Sequence, residues 1–155
     1  MKVDFKILIF AILIPLAVGA VGSAFTFPEI ATWYQTLNKP DFNPPNWIFA
    51  PVWTTLYILM GISFYLVLIS KAKDKIIPVK LFMAQLVLNI LWSVIFFGLH
   101  NPLLAFFEIL VLWGTILFMI LTFYKISKPA AYLMIPYILW VSFASILNLS
   151  IVIIN

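Results

Sequence analysis

Five runs of this chain, residues 7–27, 47–70, 81–99, 101–124 and 129–154, carry a single charged side chain between them, Glu108. A helix needs about 20 apolar residues to cross a hydrocarbon layer about 30 Å thick, and each run is close to that length or beyond it. Backbone inside lipid must satisfy its own hydrogen bonds. Isolated prolines such as Pro15, Pro51 and Pro136 are no objection, because neighbouring helices can take up the freed carbonyls. The resulting fold class is an all-α integral membrane protein. It is one domain over residues 1–155, a five-transmembrane-helix bundle with a long structured first loop at residues 28–46.

A soluble domain carries about 25% charged residues. This chain has 9%, too little polar surface to cover itself in water, and a mean hydropathy of +1.16. Cysteine is absent, which removes disulfides, thiolate metal sites and cysteine nucleophiles. The net charge of +4 comes from lysines at the ends of the apolar runs, a placement that suits a membrane surface better than nucleic acid. With five spans, Lys2, Lys6, Lys71, Lys73, Lys75, Lys80, Lys125 and Lys128 share one side, and Lys39 alone lies on the other. The positive-inside rule then puts the N-terminus in the cytoplasm and the C-terminus outside the cell membrane.

The first run has a second reading. Lys2 and Lys6 precede it, and Gly22-Ser23-Ala24 resembles a signal-peptidase site. Signal sequences have an apolar region of only about 7–15 residues, so a retained helix is the better reading. Its small residues Gly19 and Ser23, and Ala20 and Ala24, stand four apart and are expected to admit a neighbouring helix closely.

Loop 28–46 contains Pro28, Pro40, Pro44 and Pro45 interleaved with Trp33, Tyr34 and Phe42. Disordered linkers are poor in aromatics, so the loop reads as a folded cap on the outer face. A loose interfacial loop with aromatic anchors is the alternative. Beneath it, helical spacing aligns Phe49, Trp53, Leu56, Tyr57 and Met60 in the second helix. It aligns Gln85, Asn89, Trp92 and Phe96 in the third, and Tyr137, Trp140, Ala144 and Leu147, flanked by Asn148, in the fifth. Counted from a common outer surface at 1.5 Å per residue, Trp53 and Asn148 lie about 9 Å deep, and Asn89 and Ala144 roughly 15 Å. The expectation is a cavity in the outer half with indole and phenol walls, amides at its side and a proline-rich lid supplying Tyr34, Lys39 and Pro44. The competing reading is that the amides only link helices and the indoles only anchor at the interface.

Glu108 is a functional candidate as the one carboxylate within a span, although it is close enough to a helix end to snorkel. A lone loop histidine, His100, recommends no metal. No Ser-His-Asp set, metal-spaced cluster or phosphate loop is present.

The residues so gathered resemble the translocator protein family, also known as the tryptophan-rich sensory or peripheral-type benzodiazepine receptor family (TspO/MBR). The likeness runs through Trp33-Tyr34, Lys39-Pro40, Pro44-Pro45, Trp47, Pro51-Val52-Trp53 and Leu56-Tyr57. It continues in Gln85, Leu88-Asn89, Leu91-Trp92-Ser93, Pro136-Tyr137, Trp140, Phe143-Ala144 and Leu147-Asn148. The resemblance implies a homodimeric five-helix receptor or sensor. It would bind porphyrins, especially protoporphyrin IX, and isoquinoline carboxamide or benzodiazepine-type drugs, with no other cofactor. Bacterial members are associated with light- and oxygen-dependent porphyrin breakdown, for which the resemblance points to Trp53 and Trp140. It also leads Lys39 to be read as a partner for a propionate. Phe42 stands where the family usually has Trp, and the chain lacks the Tyr and basic residue that animal members carry after the fifth helix. A small transporter of tetrapyrroles or other apolar ligands is the alternative function, and a porphyrin-degrading enzyme a third.

Overall fold

The computed structural model describes residues 3–155, so Lys2 of the cationic side lies outside the described residues. Helix α1 spans Phe5–Ile30, α2 Trp33–Thr36, α3 Phe49–Leu68, α4 Ile76–Ser93, α5 Pro102–Ile126, α6 Lys128–Leu133 and α7 Ile135–Ile154. A 3-10 turn at Asn46–Ile48 leads into α3, and a π-helical turn at Val94–Gly98 ends α4. Five helical stretches are long and apolar enough to cross a membrane: Phe5–Ile30, Asn46–Leu68, Ile76–Gly98, Pro102–Ile126 and Lys128–Ile154. The chain is therefore an all-helical, multi-pass membrane protein.

The helix ends reflect local chemistry. Asp4 accepts the N–H groups of Lys6 and Ile7, and its own N–H donates to the Tyr65 hydroxyl, tying the start of α1 to α3. Asn101 caps α5 ahead of Pro102, and Ser127 caps α6. The Lys75 ammonium donates to the carbonyls of Leu68 and Ser70, the favourable place for a cation at a helix C-terminus. Helix α4 opens at Ile76, earlier than residue 81, because Asp74 accepts the Ile76 N–H and Pro78 is tolerated in a first turn.

Helix α1 packs on α3 and α4, α5 on α4 and α7, and α3 on α6. The closest approach is α1 on α3. A methyl at Gly61 would lie 2.5 Å from Ile12 Cα and 2.9 Å from the Ala11 carbonyl. That carbonyl is the one Pro15, four residues on, cannot bond within the helix. Of the small residues in α1, Gly19 meets the Tyr57 ring and Gly22 faces Ser93. Ala20, Ser23 and Ala24 are exposed instead. The packed stripe is Ala11, Pro15, Gly19 and Gly22, a 3.6-residue repeat that carries Ala20 and Ala24 off the contact.

The helices also do not begin at one surface. The Ser63 hydroxyl donates to the Ala130 carbonyl, and the hydroxyls of Tyr57 and Tyr137 meet at Asn89. Phe49, at the start of α3, lies edge-on to Trp140 at 6.1 Å. From Trp140, α7 continues to Ile154, a further rise of about 20 Å. Trp53 is thus level with Tyr137 and Trp140 rather than with Asn148, which corrects the common-surface count. The loop fills the space above α3. Tyr34 packs in a cluster with Phe96, Phe97, Leu147 and Ile151. At the far end the Asn38 N–H donates to Asn155 Oδ1 at 2.9 Å, and Asn155 Nδ2 returns a bond to the Asn38 carbonyl at 3.0 Å.

The two glycines give a paired test. Gly61→Ala meets backbone and should lower stability in detergent by about 1–3 kcal/mol through overpacking. Gly114→Ala, where an added methyl touches nothing within 4 Å, should be neutral or stabilise by up to about 1 kcal/mol through helix propensity. Thermal unfolding of the two variants side by side checks the contrast.

Candidate ligand site

Five helices and the lid enclose a cavity of about 460 Å³, within the usual range for small-molecule sites. Of the residues singled out from the sequence, Tyr34, Phe49, Trp53, Tyr57, Asn89, Trp92, Trp140, Ala144, Leu147 and Asn148 line it. Gln85, Tyr137, Lys39 and Pro44 are not on its wall. Gln85 and Tyr137 are fully buried beneath it, and Lys39 and Pro44 belong to the lid's own fabric.

The Asn89 and Asn148 amides are occupied by protein, whereas Gln85 Nε2 is buried without a partner among the described residues. The Tyr57 hydroxyl donates to Asn89 Oδ1 at 2.7 Å, Asn89 Nδ2 donates to the Tyr137 hydroxyl at 3.2 Å, and that hydroxyl donates to Gln85 Oε1 at 2.9 Å. A second brace runs from Trp92 Nε1 to Asn148 Oδ1 at 3.1 Å, and from Asn148 Nδ2 to the Pro102 carbonyl at 2.8 Å. Trp113 Nε1 donates to Ser142 Oγ at 2.8 Å. The indole N–H groups of Trp53 and Trp140 have no hydrogen-bond partner among the described residues, and both rings line the cavity. Trp53 stacks on Tyr57 at 5.5 Å and meets Tyr137 edge-on at 6.2 Å.

The lid is held from several directions. The Tyr34 hydroxyl donates to Asn43 Oδ1 at 2.8 Å, and burial pushes its pKa up to about 12 despite that bond. Lys39 Nζ donates to the Leu37 carbonyl and sits 4.9 Å above the Tyr34 ring, a cation–π contact. Glu29 Oε2 lies 3.2 Å from His100 Nε2 and also accepts the Thr32 hydroxyl. Trp33 stacks on His100 at 4.4 Å. His100 sits at φ 50°, a left-handed conformation that non-glycine residues hold only when their surroundings fix it.

The sequence reading missed one wall and part of another. Helix α1 lines the cavity with Gly19, Gly22, Ser23 and Thr26, and α5 with Ile109 and Leu112. The alternation of glycines with small polar residues in α1 was the available signal. Phe97 reaches the wall beside Phe96 because the π-helical turn inserts an extra residue, which no pattern in residues 94–98 announces. Glu108 does not snorkel. It is 8% exposed, and neither carboxyl oxygen has a partner among the described residues.

Asn89→Leu would remove both bonds that join α3, α4 and α7. Cross-helix hydrogen bonds in membranes contribute about 0.6–2 kcal/mol each, so stability should fall by about 1–3 kcal/mol, as read by thermal unfolding of the empty protein.

Known proteins resemble this chain along nearly its whole length. The sequence model described as the TspO/MBR family matches residues 11–154. The tryptophan-rich protein TspO of Chlorobaculum tepidum is 48% identical over 143 residues, 90% of each chain. Its namesake in Archaeoglobus fulgidus is 43% identical over 148 residues, 96% of each chain. The translocator protein of Homo sapiens is 38% identical over 131 residues, covering 83% of this chain and 78% of its own.

Proposed function

The chain belongs to the TspO/MBR family, and on that footing we propose that it is a membrane receptor or sensor for tetrapyrroles. The cavity would take up protoporphyrin IX, and isoquinoline carboxamide or benzodiazepine-type drugs at the same place. The observation that carries this reading is the pair of indoles, Trp53 and Trp140, that line the cavity with their N–H groups unpartnered among the described residues. An apolar aromatic wall with a few open donors suits a flat macrocycle, and each stacked ring adds about 0.5–1.5 kcal/mol beyond area burial. The same two rings are where light- and oxygen-dependent loss of the porphyrin would occur. Since Asn89 and Asn148 are engaged with protein, the loop and the indoles, rather than the amides, supply the polar contacts. Lys39 lies over Tyr34, so a contact with a propionate would first require it to leave that ring.

The protein sits in the cell membrane with its N-terminus cytoplasmic and its C-terminus outside, by the distribution of lysines, and works as the homodimer implied by its resemblance. The absence of native cysteine makes the orientation testable with single introduced thiols. Asn155→Cys should label with an impermeant reagent on intact cells, whereas Lys73→Cys should label only after lysis. The opposite pattern inverts the topology.

Ala144 tests the ligand reading. It lines the cavity between Trp140 and Asn148, so Ala144→Leu should weaken protoporphyrin IX binding more than tenfold, about 1.4 kcal/mol, with the empty protein melting nearly as before. Quenching of tryptophan fluorescence measures the affinity. Trp53→Phe and Trp140→Phe should each slow porphyrin loss under light, and an unchanged rate in the double variant would return both rings to packing roles. A large loss of apo stability in Ala144→Leu with affinity intact would remove Ala144 from the site.

A further inference from the structure

We propose that the ligand reaches this cavity sideways out of the bilayer, through a groove between α3 and α7, and that Trp140 is the door. The inference rests on the reading that the cavity takes an apolar ligand, and adds the route.

The groove is about 560 Å³, walled by Pro51, Val52, Thr55 and Leu59 of α3 facing Pro136 and Leu139 of α7. It exists because the two helices pack on other partners, α3 on α1 and α6, and α7 on α5. Its chemistry is that of lipid. Its one hydroxyl among the described residues, on Thr55, donates to the Pro51 carbonyl at 2.8 Å and is turned into its own helix. Leu139 is 63% exposed at its rim. The mouth lies at the level of Trp140, about 20 Å below the lid-side end of α7, within a hydrocarbon layer about 30 Å thick. A molecule arriving there comes from acyl chains, not from water.

Among the described residues, Trp140 alone is common to the groove and the cavity. It touches Phe49 edge-on at 6.1 Å and Phe143 at 5.5 Å, contacts that a rotating ring can exchange for others. Trp92 and Trp113 are fixed by hydrogen bonds from their N–H groups, whereas Trp140 has no such tether among the described residues. Swinging its indole aside opens the wall without breaking a hydrogen bond. Opening from the water side would break the paired Asn38–Asn155 bonds, the Glu29–His100 contact and the stacking of Trp33 on His100. The lid is the roof of the cavity, and its side wall is the entrance.

The test uses the full-length protein in phosphatidylcholine vesicles, with protoporphyrin IX delivered from a second set of vesicles and tryptophan quenching followed by stopped flow. Thr55→Phe and Leu139→Phe fill the groove from opposite sides without touching the cavity. Both should slow association and dissociation together by at least tenfold, with Kd changed by less than twofold. Leu139→Ala, which widens the mouth, should speed both. Asn38→Cys with Asn155→Cys, oxidised to a disulfide, locks the lid and should leave both rates within twofold of the reduced form. Wild-type rates in all three groove variants, or tenfold slowing by the locked lid, overturns the lateral route while leaving affinity intact. Absence of saturable quenching in the unaltered protein sinks the ligand reading itself, a distinct result.

Discussion

Asn89 is the side chain on which the arrangement of the helices turns. In lipid the apolar surfaces of helices gain little from finding one another, since the solvent is equally apolar. Which helix faces which, and at what height, is left to close packing and to a few polar groups. Asn89 accepts the Tyr57 hydroxyl and donates to that of Tyr137, so one amide ties α3, α4 and α7 at a common level. Tyr137 passes the chain on to Gln85. With that level set, Phe49 falls opposite Trp140, and the first loop has a recess to fill above α3.

The cavity arises from the same geometry. Tyr57 and Asn89 close its floor, with Tyr137 buried beneath them. The aromatic rings above are held at edge-on and stacked distances, and the lid closes the top through bonds to the C-terminal asparagine and to the α4–α5 connection. Two polar systems thus operate at different heights, one inside the hydrocarbon and one at the surface. Between them the walls are mostly apolar and aromatic, and the indole N–H groups of Trp53 and Trp140 are left open to a guest.

Hydropathy made the five spans legible, because a lipid-facing helix has no polar stripe to disguise it. Spacing made the inward faces of α3, α4 and α7 legible, and ten of the chosen residues do line the cavity. Relative height was not legible. Counting down from a shared surface placed Trp53 beside Asn148, whereas the hydrogen bonds through Asn89 and Ser63 place α3 lower. Whether an amide is free or engaged was equally hidden, since Asn89 and Asn148 find their partners on other helices, many residues away. Helix α1 was read as a packing surface through its small residues, and its role as a wall falls on Gly19 and Gly22 of that same stripe, with Ser23 and Thr26 beside them.

The π-helical turn at Val94–Gly98 has a consequence for how this region can change. One surplus residue is accommodated there, with the Leu99 N–H reaching back to the Val94 carbonyl and that of Asn101 to Ile95. Losing a single residue from this turn would restore regular winding and rotate the residues beyond it by about 100°. Phe97 would leave the cavity wall, and His100 would be carried away from Glu29 and from the face of Trp33. The cavity and the anchor of its roof therefore share a single point of register. Across this turn a deletion would dismantle wall and roof together.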